Sequence, residues 1–194
     1  MNSMVLNLPN TLTILRILLI PVFAGFYLRG EYDFALLFFL VAGLSDFLDG
    51  TIARMFEKKT PFGAILDPAA DKFLMLVSFL CLAYTGALPW WLALAGIARD
   101  IYLTSGFCYL KYSKFSFKIK PSVWGKLNTF LELSLIFSLF LEGFLKSQGD
   151  SMKLWTAYLE IAIQFFIYAL LISLVVSTSH YTYQGFQICR KNKK

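Results

Sequence analysis

Apolar residues along this chain come in long runs broken by short polar stretches, and each run approaches the roughly 20 residues that a membrane helix needs. The pattern predicts six helices, over about residues 12–27, 33–56, 63–84, 90–112, 122–145 and 152–181. Pro9-Asn10-Thr11 leads into the first, with Asn10 or Thr11 as its expected N-cap. Pro21 is expected to kink that helix. Pro68 falls within the first turns of the third, where little intrahelical bonding is lost.

Composition turns this pattern into a fold class. Of 194 residues, 58% are hydrophobic and only 15% are charged, against roughly 25% charged in an ordinary soluble domain. The expectation is an all-α integral membrane protein, a bundle of six transmembrane helices forming one domain over residues 1–194. Residues 1–10 have no basic n-region, and no small-residue cleavage site follows the first run, so no cleavable signal is expected.

Charge then orients the bundle. Arg54, Lys58 and Lys59 lie between the second and third runs, Lys111, Lys114, Lys118, Lys120 and Lys126 between or at the edges of the fourth and fifth, and Arg190, Lys191, Lys193 and Lys194 close the chain. The remaining connections are poor in Lys and Arg. By the positive-inside rule both termini are cytoplasmic, with Trp90, Trp91 and Trp155 as an outer interfacial belt. The net charge of +6 sits beside apolar runs, so its expected partners are anionic lipid headgroups, not nucleic acid. Cys81, Cys108 and Cys189 lack metal-type spacing and His180 stands alone.

Against this background four carboxylates stand out. Asp46, Asp49, Gly50, Ala53 and Arg54 lie on the second run, and Gly63, Asp67 and Asp71 open the third. Spacings of three and four residues put Asp46, Asp49, Gly50 and Ala53 on one helix face, and Asp67 and Asp71 one turn apart on another. A short connection is expected to make these helices antiparallel neighbours whose acidic faces meet. Carboxylates so close in an apolar setting cannot all ionise without cations. An all-oxygen ligand set suits Mg²⁺ or Mn²⁺ rather than zinc. Two such ions can clamp a diphosphate during in-line displacement, and an arginine such as Arg54 can hold a phosphate oxygen. Gly50, Ala53 and Gly63 leave room for something to approach the backbone closely. Helix-end aspartates solvated at the interface are the bland alternative; four, interleaved with small residues and an arginine, argue against it.

The full pattern, D46-x-x-D49-G50-x-x-A53-R54, eight residues, G63-x-x-x-D67-x-x-x-D71, resembles the motif of the CDP-alcohol phosphatidyltransferases, with no departure. The resemblance implies that Asp46, Asp49 and Asp67 bind two divalent metal ions and that Asp71 is both ligand and general base. It implies a cytidine pocket at Gly50, Ala53 and Gly63, a diphosphate held by Arg54, CDP-diacylglycerol as donor, CMP as leaving group and a homodimer. A bacterial inner membrane, with the site facing the cytoplasm, is the expected location.

Other segments bear on the acceptor. N-L-P-N-T-L-T-I-L-R16, L-D-P-A-A-D-K72 and A-R99-D100 resemble phosphatidylglycerophosphate synthases, whereas K-P-S-V-W-G-K126-L-N128-T129 is more similar to cardiolipin synthases because Asn128 stands where a lysine is usual. Arg16, Arg99, Lys126 and Asn128 are therefore the expected acceptor residues. Arg16, Arg99 and Lys126 supply cations enough for glycerol 3-phosphate, which the resemblance of the compact chain and its N-terminal segment favours, with phosphatidylglycerol as the alternative. Arg99 within an apolar run requires a partner: Asp100, another helix, or, as favoured here, substrate. An ion-coupled transporter using the aspartates is the reading from another class. It predicts polar residues through the membrane depth, whereas here acidic residues cluster at one level and the outer half of most helices is bare, with Glu132 and Glu160 as exceptions.

Overall fold

The computed structural model describes residues 8–55, 63–113 and 122–192, and among their side chains not those of 8–10, 46–55, 64–65, 111 and 191–192. The described residues form α1 (Leu8–Leu28), α2 (Tyr32–Met55), α3 (Gly63–Tyr84), α4 (Trp90–Tyr112), α5 (Val123–Ser147) and α6 (Lys153–Asn192), with a 3₁₀ turn at Gly149–Met152 and no strand. Two ends differ from expectation. Because α1 begins at Leu8, Pro9 sits in its first turn, where a missing N–H costs nothing, and Asn10 and Thr11 are inside the helix instead of capping it. Because α6 runs on to Asn192, it has 40 residues and a length of about 60 Å, roughly twice a bilayer's hydrocarbon core. The apolar run ends near Tyr181, but one Gly185 without a proline costs a helix only about 1 kcal/mol and does not stop it.

Short connections join α1 to α2, α3 to α4 and α5 to α6 at one end of the bundle. Gly30 and Gly86 turn the chain there with φ of 78°, a left-handed conformation that a Cβ would strain. Helix directions follow from cross-helix contacts. Thr13 meets Asp67 and Arg16 meets Asp71, so α1 and α3 run parallel. Lys72 meets Asp100 while Phe79 lies against Gly96, so α3 and α4 run antiparallel. Arg99 with Ser177 and Tyr102 with Thr182 make α4 and α6 parallel. The start of α1, the start of α3, the end of α4 and the end of α6 therefore share the end opposite the short turns. Among the described residues α1 packs on both α2 and α3, and α5 packs chiefly on α6. The direct meeting of acidic faces expected between the second and third helices falls on residues 46–55, whose side chains lie outside the described residues.

Among the described residues three helices are long and apolar enough to cross a membrane: Thr11–Leu28 within α1, Val123–Ser147, and the Gly149–Arg190 span containing most of α6. Among the described residues of α2, Tyr32–Ser45 is also apolar. Large apolar side chains such as Leu18, Ile161, Phe165 and Val175 face outward. Such a surface suits lipid and would be an aggregation liability in water. Since lipid is as apolar as leucine, helix association rests on close packing. Ala35 and Ala42 of α2 and Ala83 of α3 are buried, and Gly143 of α5 lies where a Cβ would be 3.0 Å from the Tyr32 ring. At the centre Phe140 meets Tyr27 and Phe39 edge-on, each with ring centroids 4.8 Å apart, and Phe23 at 5.8 Å. These edge-to-face contacts tie α1, α2 and α5 together.

Phe140→Ala should therefore cost about 3–5 kcal/mol, read as a large drop in the thermal unfolding midpoint of the detergent-purified protein. Phe137→Ala, one turn away and partly exposed, is the matched control and should shift it little.

Candidate active site

Asp67 and Asp71 lie one turn apart near the start of α3, and each is met by α1. The Thr13 hydroxyl donates to Asp67 Oδ1 at 2.7 Å, and Arg16 Nη1 donates to Asp71 Oδ1 at 2.6 Å. Thr13 and Arg16 are three residues apart, hence on one face of α1, and match the four-residue spacing on the parallel α3. Both donors are fully buried, whereas the Asp71 side chain is 43% exposed. The geometry holds both carboxylates from α1 while the Asp71 side chain keeps part of its surface exposed. Arg16 was expected at the acceptor; its guanidinium is buried against Asp71, where it orients a carboxylate.

Next along α3, Lys72 pairs with Asp100 of α4 through Asp100 Oδ2. Asp100 Oδ1 accepts from Arg99 Nη1 at 2.8 Å, and Arg99 Nη2 donates to Ser177 Oγ of α6 at 2.7 Å. Arg99 is thus partnered by its neighbour and by another helix, two of the three possibilities its sequence position raised. This chain of polar groups joins α3, α4 and α6 in a setting where unpaired charge would be costly.

Beside it opens a cleft of about 1200 Å³. Lys72, Arg99, Asp100 and Lys126 bring charge to its lining, while Tyr102, Leu103, Phe107, Leu110 and Phe186 make much of the rest apolar and aromatic. Tyr181, Thr182, Gln184, Gly185, Phe186 and Cys189 contribute a wall from the end of α6, and all but Tyr181 belong to the stretch that hydropathy alone leaves out of the helix. Gly125 permits the closure of this corner, since a Cβ there would lie 2.5 Å from the Tyr181 hydroxyl, which accepts the Ser122 N–H at the start of α5.

Of the four expected acceptor residues, Arg99 and Lys126 reach the cleft and Arg16 and Asn128 do not line it. Asn128 is fully buried, and its Nδ2 donates to Glu132 Oε1 one turn on, at 2.8 Å. Asp46, Asp49, Gly50, Ala53 and Arg54 belong to α2, but their side chains lie outside the described residues. Gly63 begins α3 and is buried. Among the described residues no group of three His, Cys, Asp or Glu gathers as a metal site, so Asp67 and Asp71 are the two expected ligands that can be located. Thr13 and Ser177 went unread in the sequence. The three-residue spacing of Thr13 and Arg16 was the available signal for the first; nothing marks Ser177.

The protein-family model described as CDP-alcohol phosphatidyltransferase matches residues 6–178. The chain belongs to this family. Relatives within reach include a protein of Aquifex aeolicus named CDP-diacylglycerol–glycerol-3-phosphate 3-phosphatidyltransferase, 34% identical over 96% of this chain and 99% of its own length. A probable phosphatidylglycerophosphate synthase of Mycobacterium tuberculosis is 36% identical over 65% of this chain. A cardiolipin synthase (CMP-forming) / mitochondrial hydrolase fusion protein of Schizosaccharomyces pombe is 38% identical over 77% of it. The matched part spans 62% of the mycobacterial protein and 28% of the fusion protein. As a phosphatidyltransferase-family chain, this one carries its located motif aspartates on the helix that α1 braces.

Asp100→Asn would leave Lys72 and Arg99 short of their shared counter-charge. A loss of about 3 kcal/mol is expected, measured as a lowered unfolding midpoint in detergent, with Asp150→Asn, at an exposed surface pair, as the control that changes little.

Proposed function

We propose that this protein transfers the phosphatidyl group of CDP-diacylglycerol to a hydroxyl of a glycerol-type acceptor and releases CMP. The observation that carries the reading is the pair Asp67 and Asp71, partly exposed, oriented from behind by Thr13 and Arg16, and completing the D-x-x-D-G-x-x-A-R pattern of α2. In this reading Asp46, Asp49, Asp67 and Asp71 hold two divalent ions, Mg²⁺ or Mn²⁺. The located donors fit such ions, being carboxylate oxygens with hydrogen-bonded partners behind them. When bound, the ions would supply charge neutralisation at the diphosphate.

The chain's own residues do the rest. Asp71 accepts the proton of the acceptor hydroxyl. The hydroxyl oxygen then forms a bond to the phosphorus that carries diacylglycerol, and the bond from that phosphorus to CMP breaks. Arg16 fixes the rotamer of Asp71, so the base is pre-positioned. Arg54 is assigned to the diphosphate, and Gly50, Ala53 and Gly63 to the cytidine.

Glycerol 3-phosphate is the proposed acceptor, because Lys72, Arg99 and Lys126 bring cations to one cleft and a phosphate monoester is strongly anionic. The apolar and aromatic lining of that cleft favours a second reading, phosphatidylglycerol, whose acyl chains need such a surface. The presence of both glycerophosphate-transferring and cardiolipin-forming names among the relatives fits either. Asn128 bears less on this choice than its sequence position suggests, because a side chain buried against Glu132 reads no phosphate directly. A transporter reading has less support. Among the described residues the middle of the bundle is filled by apolar rings, Phe23, Phe39 and Phe140, where a transporter would need polar groups. We place the site at the cytoplasmic face of a bacterial inner membrane, with six spans and a homodimeric assembly.

Asp71→Asn should reduce CMP release about a hundredfold or more while the protein still binds CDP-diacylglycerol; undiminished turnover would remove Asp71 as the base. Activity surviving thorough chelation would exclude the two-metal reading. Incubation of wild-type protein with labelled CDP-diacylglycerol and either glycerol 3-phosphate or phosphatidylglycerol decides the acceptor by the product formed.

A further inference from the structure

Thr13 stands in an apolar run of α1 and is fully buried. Thr156 and Thr182 return their hydroxyls to carbonyls of their own surroundings one turn back. The Thr13 hydroxyl instead crosses a helix boundary and donates to Asp67 Oδ1, 54 residues along the chain, at 2.7 Å. On the same face of α1, Arg16 holds Asp71 at 2.6 Å. The two donors differ in kind. Arg16 brings a full charge to its carboxylate. Thr13 brings a neutral hydroxyl, which fixes the plane of the Asp67 carboxylate through one oxygen and does not itself cancel its negative charge. Such an orienting donor is what a metal-binding carboxylate needs, because it sets direction without acting as a counter-ion.

Rigidity at Asp67 bears on which ion the site takes. Mg²⁺ requires near-ideal octahedral ligands at about 2.0–2.1 Å, whereas Ca²⁺ accepts more oxygens, at about 2.3–2.6 Å, in adaptable geometry. A carboxylate fixed by a buried donor between two packed helices favours the demanding ion. One that can rotate, and so offer both oxygens, favours the adaptable ion. We propose that Thr13 is a positioning residue that sets the metal preference of the site: its bond to Asp67 raises the affinity for Mg²⁺ and Mn²⁺ and keeps Ca²⁺ at a disadvantage. This rests on the reading above in which Asp67 is a metal ligand.

The test uses the full chain in detergent micelles, dialysed against chelator, and reads metal binding directly. Mn²⁺ is titrated in, its paramagnetic resonance signal reports the free ion, and Mg²⁺ or Ca²⁺ is then added to displace what is bound. No substrate is present, so the readout does not depend on turnover. Thr13→Val removes the hydroxyl and keeps the shape. It should weaken Mn²⁺ and Mg²⁺ binding about tenfold or more and Ca²⁺ binding by less than about threefold. Thr13→Ser, which keeps the donor, should stay within about threefold of the wild type for all three ions. Unchanged Mn²⁺ and Mg²⁺ affinity in folded Thr13→Val overturns the proposal. Equal weakening for all three ions also overturns it, being the sign of a general loosening of α1 on α3. Thr13→Ala is the second arm should Thr13→Val fail to fold; the same selective loss is expected, and unchanged or equally weakened binding overturns the proposal. Asp67→Asn separates this inference from the reading beneath it. Unaltered Mn²⁺ binding in that variant removes Asp67 as a ligand altogether, and this inference with it. Weakened binding in Asp67→Asn beside an indifferent Thr13→Val overturns the role of Thr13 alone.

Discussion

Charge inside an apolar bundle has to be neutralised where it stands, and the arrangement of this protein follows from that constraint. Arg16 is fully buried and finds Asp71 at 2.6 Å. Arg99 is buried and finds Asp100 and Ser177. Lys72 closes the chain on Asp100. Three of these contacts cross between helices, so they tie α1 to α3, α3 to α4 and α4 to α6. Helix packing in lipid has no hydrophobic drive of its own and accepts several crossing geometries. Polar pairs that match only in one register narrow that choice, because any slip leaves a charge unpaired.

The same pairs divide the molecule by function. Toward the short turns the interior is a set of interlocked rings centred on Phe140, with glycine and alanine at the closest approaches. That half supplies rigidity. The other half carries the carboxylates of α3, the cationic cleft and the extended end of α6. There the polar chain does two things: it keeps α3, α4 and α6 together, and it holds Lys72 and Arg99 at the cleft, which Lys126 of α5 also lines. Asp100 and Arg99 belong both to the ion-pair chain and to the cleft lining, whereas Phe140 lies in the ring core and Lys126 is exposed at the rim of the cleft.

Much of the candidate site was legible from periodicity. Asp67 and Asp71 one turn apart, and the location of both on the helix that follows a basic connection, are consequences of spacing within one helix. The residues that hold them were less legible. Arg16 reads as one of several cations, and only the parallel packing of α1 on α3 assigns it to Asp71. Asn128 reads as a substituted acceptor residue, yet the rotation of α5 turns it inward to Glu132. The end of α6 reads as a polar tail once its apolar run stops, yet continuation of the helix makes it a wall of the cleft. Each difference arises at a boundary between helices, or at a helix end where hydropathy ceases to report on backbone.

By itself the sequence determined the all-helical class, the helices to within a few residues at most ends, the shared faces of the aspartates and the reaction family that their pattern implies. These depend on local spacing, and a helix converts spacing into geometry with a fixed period of 3.6 residues. Tertiary structure alone decided which cation meets which carboxylate, where the cleft opens and that Asn128 turns inward to Glu132. Those choices depend on the relative rotation and register of neighbouring helices, which no single helix encodes and which close packing of rings, glycines and ion pairs resolves together.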